Sequence, residues 1–393
     1  MNELYNFRRE INMQLDELRG KIDKVDDELL RLFAERMEIV TQVAEYKKKN
    51  ELPVLDRKRE ADKLNEIAGK VSPEMGPYAH ILYDTLFELS RSYQSAVKEE
   101  SSSLHREILD AIESTPNLFP PAATIACQGS AGAYSQLAAD RLFKRPNIQY
   151  FKTFESVFTA IENGFCEYGV LPLENSTAGS VTKIYSLMQS RNFKIVRSLR
   201  LKIDHNLLVP KGVKLEDVRE VFSHEQAIAQ CAGFIEQLGP NMKISRCENT
   251  AAAAELVSES GRRDIAAICS ISCAELYNLD CIARDIQDRG NNYTRFICIS
   301  KKLEIYPGAD RTSIMMVLPH RPGSLYKILA RFYALGINLN KLESRTLPDR
   351  DFQFMFYFDL ETSIYSEEFV KLLDSLQEIC EEYKYLGSYT EVL

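Results

Sequence analysis

The sequence lacks any apolar run long enough to cross a bilayer, which needs about 20 consecutive apolar residues. It lacks a basic excess as well. Lys and Arg total 49 against 57 Asp and Glu, a net charge of −8. Phosphate backbones reward a basic face, so this balance argues against nucleic acid as a partner. Any anionic small molecule must be held by a few placed cations. The cysteines are odd in number, nine, and most sit in apolar stretches such as Ala126-Cys127 and Ile297-Cys298. Cys269 and Cys273 are four apart with no second pair to complete a metal site, so buried thiols in a reducing, cytoplasmic setting are expected. The first residues, MNELYNFRRE, are too polar for a secretory signal. No internal repeat is present.

At 393 residues, two or three domains are expected. Up to about residue 100 the pattern is helical. Ile11, Leu15, Leu18, Ile22, Val25, Leu29 and Leu32, then Arg36, Ile39 and Val43, alternate spacings of four and three. That spacing predicts one long helix with a heptad-like seam, ending before Pro53. Such a helix needs companions from its own or another chain to cover its stripe. A second helix is expected from an Asp56 N-cap to Ala68, and a third over Tyr78–Val97. Residues 101–122, with Pro120-Pro121, read as a linker holding one helix at most.

Strand-like and helical stretches then alternate. Thr124–Cys127, Ile148–Phe151, Gly169–Leu173, Val221–Ser223, Lys243–Arg246, Ile265–Cys269 and Phe296–Ile299 are the expected strands of an α/β domain over residues 123–303. Phe193–Val209 reads as one or two strands crossing between two lobes. Over residues 304–393 the expected order is strand Thr312–Leu318, helix Gly323–Leu335, strands Ile337–Thr346 and Phe352–Leu360 around a Pro-Asp-Arg-Asp turn, helix Glu367–Glu381 and strand Tyr385–Thr390. That order, βαββαβ, is the ferredoxin-like plan.

Arg36 stands where the seam calls for an apolar side chain. A lone arginine there would be read as snorkelling to water. Lys47, about three turns on, projects within roughly 20° of it. Asp56, Arg59 and Glu60 share a face of the second helix, and Ser90 and Gln94 a face of the third. Three polar faces converging in a bundle suit a small dianion. Arg19 lies about 25 Å from Arg36 along the same helix. It is either a surface cation or serves the site of a second chain.

This segment, with Leu18-Arg19, Ile22-Asp23, Glu35-Arg36, Lys47, Pro53-Val54, Asp56 and Arg59-Glu60, resembles the helical chorismate mutase family. The resemblance implies a dimer of long helices in which Arg19 of one chain completes the site of the other. It implies Arg19, Arg36 and Arg59 on the carboxylates of chorismate, and Lys47 and Gln94 on its ether oxygen. Asp56, Glu60 and Ser90 would meet the ring hydroxyl. A Claisen rearrangement needs a compact substrate conformer and stabilised charge on the breaking C–O bond, and cations and amides supply both.

In the middle region, Pro172–Val181 (PLENSTAGSV) follows a strand and opens a helix. Alone it reads as a helix cap or an anion site. Asn292-Tyr293-Thr294-Arg295-Phe296 begins a late strand, and Gln226 and Gln230 lie one turn apart. Together with Gly129–Ala139 and Ser223-His224 these motifs resemble prephenate dehydratase. The resemblance implies two α/β lobes, like solute-binding proteins, with substrate in the cleft. It makes Thr294 the catalytic residue, assisting departure of the hydroxyl. Glu174, Asn175, Ser176, Gln230, Arg295 and Phe296 are the candidates for holding prephenate. An alternative is an active mutase fused to a non-catalytic binding module.

His320–Leu325 lies in the first turn of the βαββαβ region, and Leu342–Thr346 ends its second strand. Both resemble the ACT domain of phenylalanine-sensitive dehydratases. Gly323, Ser324, Leu325, Glu343, Ser344 and Arg345 would bind L-phenylalanine between paired domains. Thr346 stands where that family usually has proline. The whole implies a bifunctional, homodimeric or larger assembly with no metal and no cofactor.

Overall fold

The computed structural model describes residues 2–50, 52, 56–97, 102–347 and 354–393. Pro53, Val54 and the expected turn Pro348–Asp351 lie outside the described residues, as does Phe352. The chain forms two compact units. One comprises Met1–Ser102, Gly323–Arg331 and Lys371–Glu378, the other Ser103–Pro322, Phe332–Val370 and Ile379–Leu393.

The first unit is helical: α1 (Asn2–Lys49), α2 (Arg57–Ala68) and α3 (Gly76–Val97). The Asp56 carboxylate caps α2 by accepting from the Arg59 amide at 3.0 Å. The apolar seam of α1 is uncovered: Leu18, Ile22 and Val25 are 55%, 57% and 59% exposed. A cluster of half-buried charges ties this unit together. Glu88 of α3 bonds Arg91 and Arg331 and lies near Lys327, which also pairs with Asp84 at 2.8 Å. Two residues expected in the C-terminal region thus pack with the N-terminal helices.

The second unit opens with a helix, Ser103–Ser114, and holds three sheets. The strands are β1 (Ala122–Gln128), β2 (Arg145–Phe151), β3 (Tyr168–Asn175), β4 (Gly179–Ser180) and β5 (Lys194–Lys202). There follow β6 (Asn206–Pro210), β7 (Glu220–Ser223), β8 (Lys243–Arg246), β9 (Ile265–Cys269) and β10 (Leu279–Ala283). The last are β11 (Tyr293–Ser300), β12 (Arg311–Val317), β13 (Asn338–Thr346), β14 (Phe354–Glu361), β15 (Glu382–Tyr389) and β16 (Glu391–Val392). The first sheet runs β16-β5-β11-β3-β1-β2 with β4 beside β3, and the second β10-β6-β9-β7-β8. These are two α/β lobes. The chain leaves the first through β5, enters the second at β6, and returns through β11, as the run Phe193–Val209 suggested.

The third sheet, β13-β14-β12-β15, is antiparallel, and its chain order with the helices Ser324–Ala334 and Glu367–Ile379 is βαββαβ. It shares a core with the first lobe: Met315, Tyr357, Leu386 and Tyr389 pack with Phe158, Leu171, Tyr185 and Ile297. Gly387 (φ +135°) lets β15 lie directly on β5, since any Cβ there would strike the Ile195 carbonyl.

Candidate active sites

Geometry brings Arg36, Ser90 and Gln94 together in the first unit. Arg36 is half-buried between α1 and α3, donating to Ser90 Oγ and to the Leu86 carbonyl at 3.3 Å. Burial lowers its pKa, and its guanidinium lies 5.9 Å from the Phe87 ring centre. Gln94 is buried, with Nε2 3.4 Å from the Val40 carbonyl. Glu60 is half-buried and bonded by Arg91, which sequence reasoning passed over. Arg59 and Arg19 are exposed, and Arg19 pairs with Asp16 at 3.2 Å. Lys47 lies near the end of α1.

In the second unit a polar network gathers where the two lobes join. Thr294 on β11 faces Asn175 on β3, and the strands pair these two residues directly. Asn175 Nδ2 donates to Thr294 Oγ1 at 2.9 Å and to Asn292 Oδ1 at 2.8 Å. Its Oδ1 accepts from the amides of Thr177 and Ala178, which shapes the loop behind it. Because Thr294 Oγ1 already accepts, its own hydrogen can be donated outward. Ser176 Oγ donates to the Asn291 carbonyl at 2.7 Å and accepts from the Tyr293 amide at 2.9 Å. Gln230, from the second lobe, donates to Thr177 Oγ1 at 2.7 Å and accepts from Asn292 Nδ2 at 3.1 Å. Gln226 is exposed.

His205 was missed by the sequence reading. It is 2% exposed, and its Nε2 meets Gln230 Oε1 at 2.8 Å, which assigns the ring proton to Nε2. Tyr134 OH lies 3.3 Å from its Nδ1. Burial lowers the His205 pKa, so the ring is neutral near pH 7. A lone histidine in a strand-like run carries no sequence signal of this role. Its partners are 25 and 71 residues away.

Phe296, Arg295 and Glu174 stand elsewhere. Phe296 is buried in the core of the first lobe, among Tyr168, Val196 and Leu199. Arg295 and Glu174 alternate in direction with Thr294 and Asn175, and meet the third sheet. Arg295 donates to Glu174 at 3.3 Å, to Asp359, and to Tyr389 OH at 2.8 Å, and lies 3.2 Å from Glu391. Burial by itself would lower the Arg295 pKa. The surrounding oxygens, of Tyr389 and Asp359 first, raise it instead.

The candidate effector residues divide between the units. Gly323 (φ +82°) precedes the helix Ser324–Ala334, with Ser324 and Leu325 half-buried. On β13, Glu343 and Arg345 point toward the first lobe, Glu343 accepting from Ser180 Oγ and Arg345 donating to Thr182 Oγ1 at 3.0 Å. Ser344 is exposed.

Two family models match: chorismate mutase type II over residues 18–95 and prephenate dehydratase over residues 125–304. The bifunctional chorismate mutase/prephenate dehydratase of Aquifex aeolicus is 32% identical over 97% of this chain and 99% of that one. This chain belongs to the bifunctional chorismate mutase/prephenate dehydratases. It is an enzyme with two catalytic parts, a helical one followed by an α/β one. Among solved structures, prephenate dehydratase from Arthrobacter aurescens in complex with L-Phe is 27% identical, with a TM-score of 0.63, over 68% of this chain and 89% of that one. A quorum-quenching acylase, GqqA, is 33% identical with a TM-score of 0.62, over 68% of this chain and 97% of that one. One fold thus hosts different chemistries, so the site has to carry the assignment. No helix among the described residues is long and apolar enough to cross a membrane, and no group of three metal-binding side chains occurs among them.

Proposed function

We propose that the two clusters are the two active sites of phenylalanine biosynthesis from chorismate, and that the C-terminal βαββαβ region is an ACT domain that senses L-phenylalanine. In the mutase site Arg36 and Arg59, with Arg19 of a second copy, hold the carboxylates of chorismate. Lys47 and Gln94 donate to its ether oxygen, where negative charge develops as the C–O bond breaks. Asp56, Glu60 and Ser90 orient the ring hydroxyl. The uncovered seam of α1 supports a homodimer, since a second copy would bury those side chains and bring its own Arg19.

Prephenate then loses carbon dioxide and its ring hydroxyl. As the carboxylate carbon departs, its bonding electrons enter the ring. The hydroxyl leaves with a proton as water, and the ring becomes aromatic. The observation that carries this reading is the Thr294 hydroxyl, fixed by Asn175 with its hydrogen free to be donated. Thr294 assists the departing hydroxyl, while Asn175, Ser176 and Gln230 position the substrate. Glu174, Arg295 and Phe296 support that arrangement from outside the network. L-phenylalanine binds at Glu343–Arg345, with Gly323–Leu325 a separate candidate group, and slows the enzyme by favouring one conformation. Six of the nine cysteines, Cys127, Cys166, Cys231, Cys269, Cys273 and Cys298, are buried free thiols, which supports a cytoplasmic setting.

Thr294→Ala tests the second site. Phenylpyruvate formation should fall by about 10²-fold or more, while chorismate turnover by the same molecules is retained. Undiminished phenylpyruvate would remove Thr294 from the chemistry.

A further inference from the structure

Asn175 and Thr294 meet the polar network, and their strand neighbours Glu174 and Arg295 meet each other on the opposite side. The partners behind that second pair come from the third sheet. Asp359 on β14 bonds Arg295 and accepts from Ser313 Oγ and from Tyr357 OH at 2.7 Å. Arg295 and Asp359 have side chains only 7% and 3% exposed, so each charge depends on its partners rather than on water. Lys341 on β13 bonds Glu174 and donates to Ser180 Oγ at 2.8 Å. Glu343 accepts from the same serine and lies 3.2 Å from Lys341. Arg345 bonds Glu343 and Thr182, and Lys341 and Arg345 both lie over the Tyr185 ring. One face of β13 therefore grips the Asn175–Gly179 loop just before it, at Glu174, and just after it, at Ser180 and Thr182.

We propose that Glu174 and Arg295 are positioning residues for the dehydratase site, and that Lys341 is the side chain through which phenylalanine bound near Glu343–Arg345 acts on Thr294. The inference rests on the assignments made under Proposed function and adds their mechanical link. Adjacent strand residues point to opposite faces, so a change in Glu174 or Arg295 turns Asn175 or Thr294 with it. The charges here share partners, Glu174 meeting both Arg295 and Lys341 and Glu343 meeting both Lys341 and Arg345, which favours discrete arrangements over gradual drift. A ligand that draws Glu343 or Arg345 away frees Ser180 and moves Lys341. Glu174 then keeps only Arg295, which Asp359 also claims. The Asn175–Thr294 geometry is the one that shifts.

The test uses the full-length protein and Lys341→Met, measuring phenylalanine binding by calorimetry and prephenate turnover with and without saturating phenylalanine. Chorismate turnover serves as the folding control. The ratio of rates with and without phenylalanine does not depend on how much protein is folded. Lys341→Met should bind phenylalanine within about twofold of the parent yet lose about tenfold of its effect on that ratio. Inhibition unchanged at saturation would overturn the link. Binding and inhibition lost in parallel would also overturn it, making Lys341 a ligand contact. Arg295→Lys keeps the charge but not the fork, and should lower prephenate kcat about tenfold with KM and chorismate turnover near the parent's. An equal fall in both activities would reduce Arg295 to a structural role. A parent protein that ignores phenylalanine would instead sink the effector assignment itself.

Discussion

Thr294 is held in place by three amides and a histidine. Asn175 fixes its oxygen, Asn292 and Gln230 fix Asn175, and His205 fixes Gln230. The neutral imidazole is part of that chain. Its pKa is lowered by burial, so the unfolded chain takes up a proton at a pH where the native site does not. The stability it contributes is complete above the unfolded value of about 6.5 and is lost as pH falls through the lower folded value. Prephenate turnover and melting temperature should therefore drop together on the acid side. His205→Asn, which keeps a donor but does not titrate, should flatten the drop. An unchanged acid limb in that variant would assign it to another group. Thr294, Asn175 and Gln230 stand in motifs that mark them as candidates. His205 and Asn292 could not be assigned roles, because what defines them is a set of bonds between residues far apart in sequence. The direction of Arg295 was half legible: period two sets it opposite Thr294, but nothing in the sequence says that a third sheet waits there.

At the level of elements, spacing served best where one face is buried and one is wet. The Asp56 cap, the end of α2 at Ala68, and strands Lys243–Arg246 and Ile265–Cys269 fall where the pattern set them. Where the third sheet meets the first lobe, the pattern is silent. Gly387 reads as an ordinary strand glycine, yet it is where β15 and β5 touch. Gly387→Ala should cost about 3 kcal/mol, from the positive φ and the clash with Ile195, read as a lower denaturant midpoint. A change under about 0.5 kcal/mol would mean that the sheets separate easily. Arg36 makes the opposite case. Arg36→Leu restores the apolar seam of α1 and relieves a half-buried charge, so melting temperature should hold or rise. Chorismate turnover should fall about 10²-fold or more, the loss expected when a cation that positions the substrate is removed. Retained turnover would return Arg36 to an ordinary place in a coiled coil.

For the whole molecule, the order of three regions was legible because each has its own periodicity: heptad-like, α/β, then βαββαβ. What could not be read is how pieces of the last region sort. Lys327 and Arg331 bond Asp84 and Glu88 among the N-terminal helices, while Asp359 and Lys341 bond Arg295 and Glu174. Charge pairing of this kind leaves no local pattern, since each partner alone looks like a surface residue. Each set of pairs lies within one of the two compact units. The decisive measurement supplies the full-length protein with chorismate alone, with and without phenylalanine, and follows chorismate, prephenate and phenylpyruvate together. Conversion through to phenylpyruvate, slowed by phenylalanine, is expected. Prephenate that accumulates without further reaction, or chorismate left untouched, would contradict it.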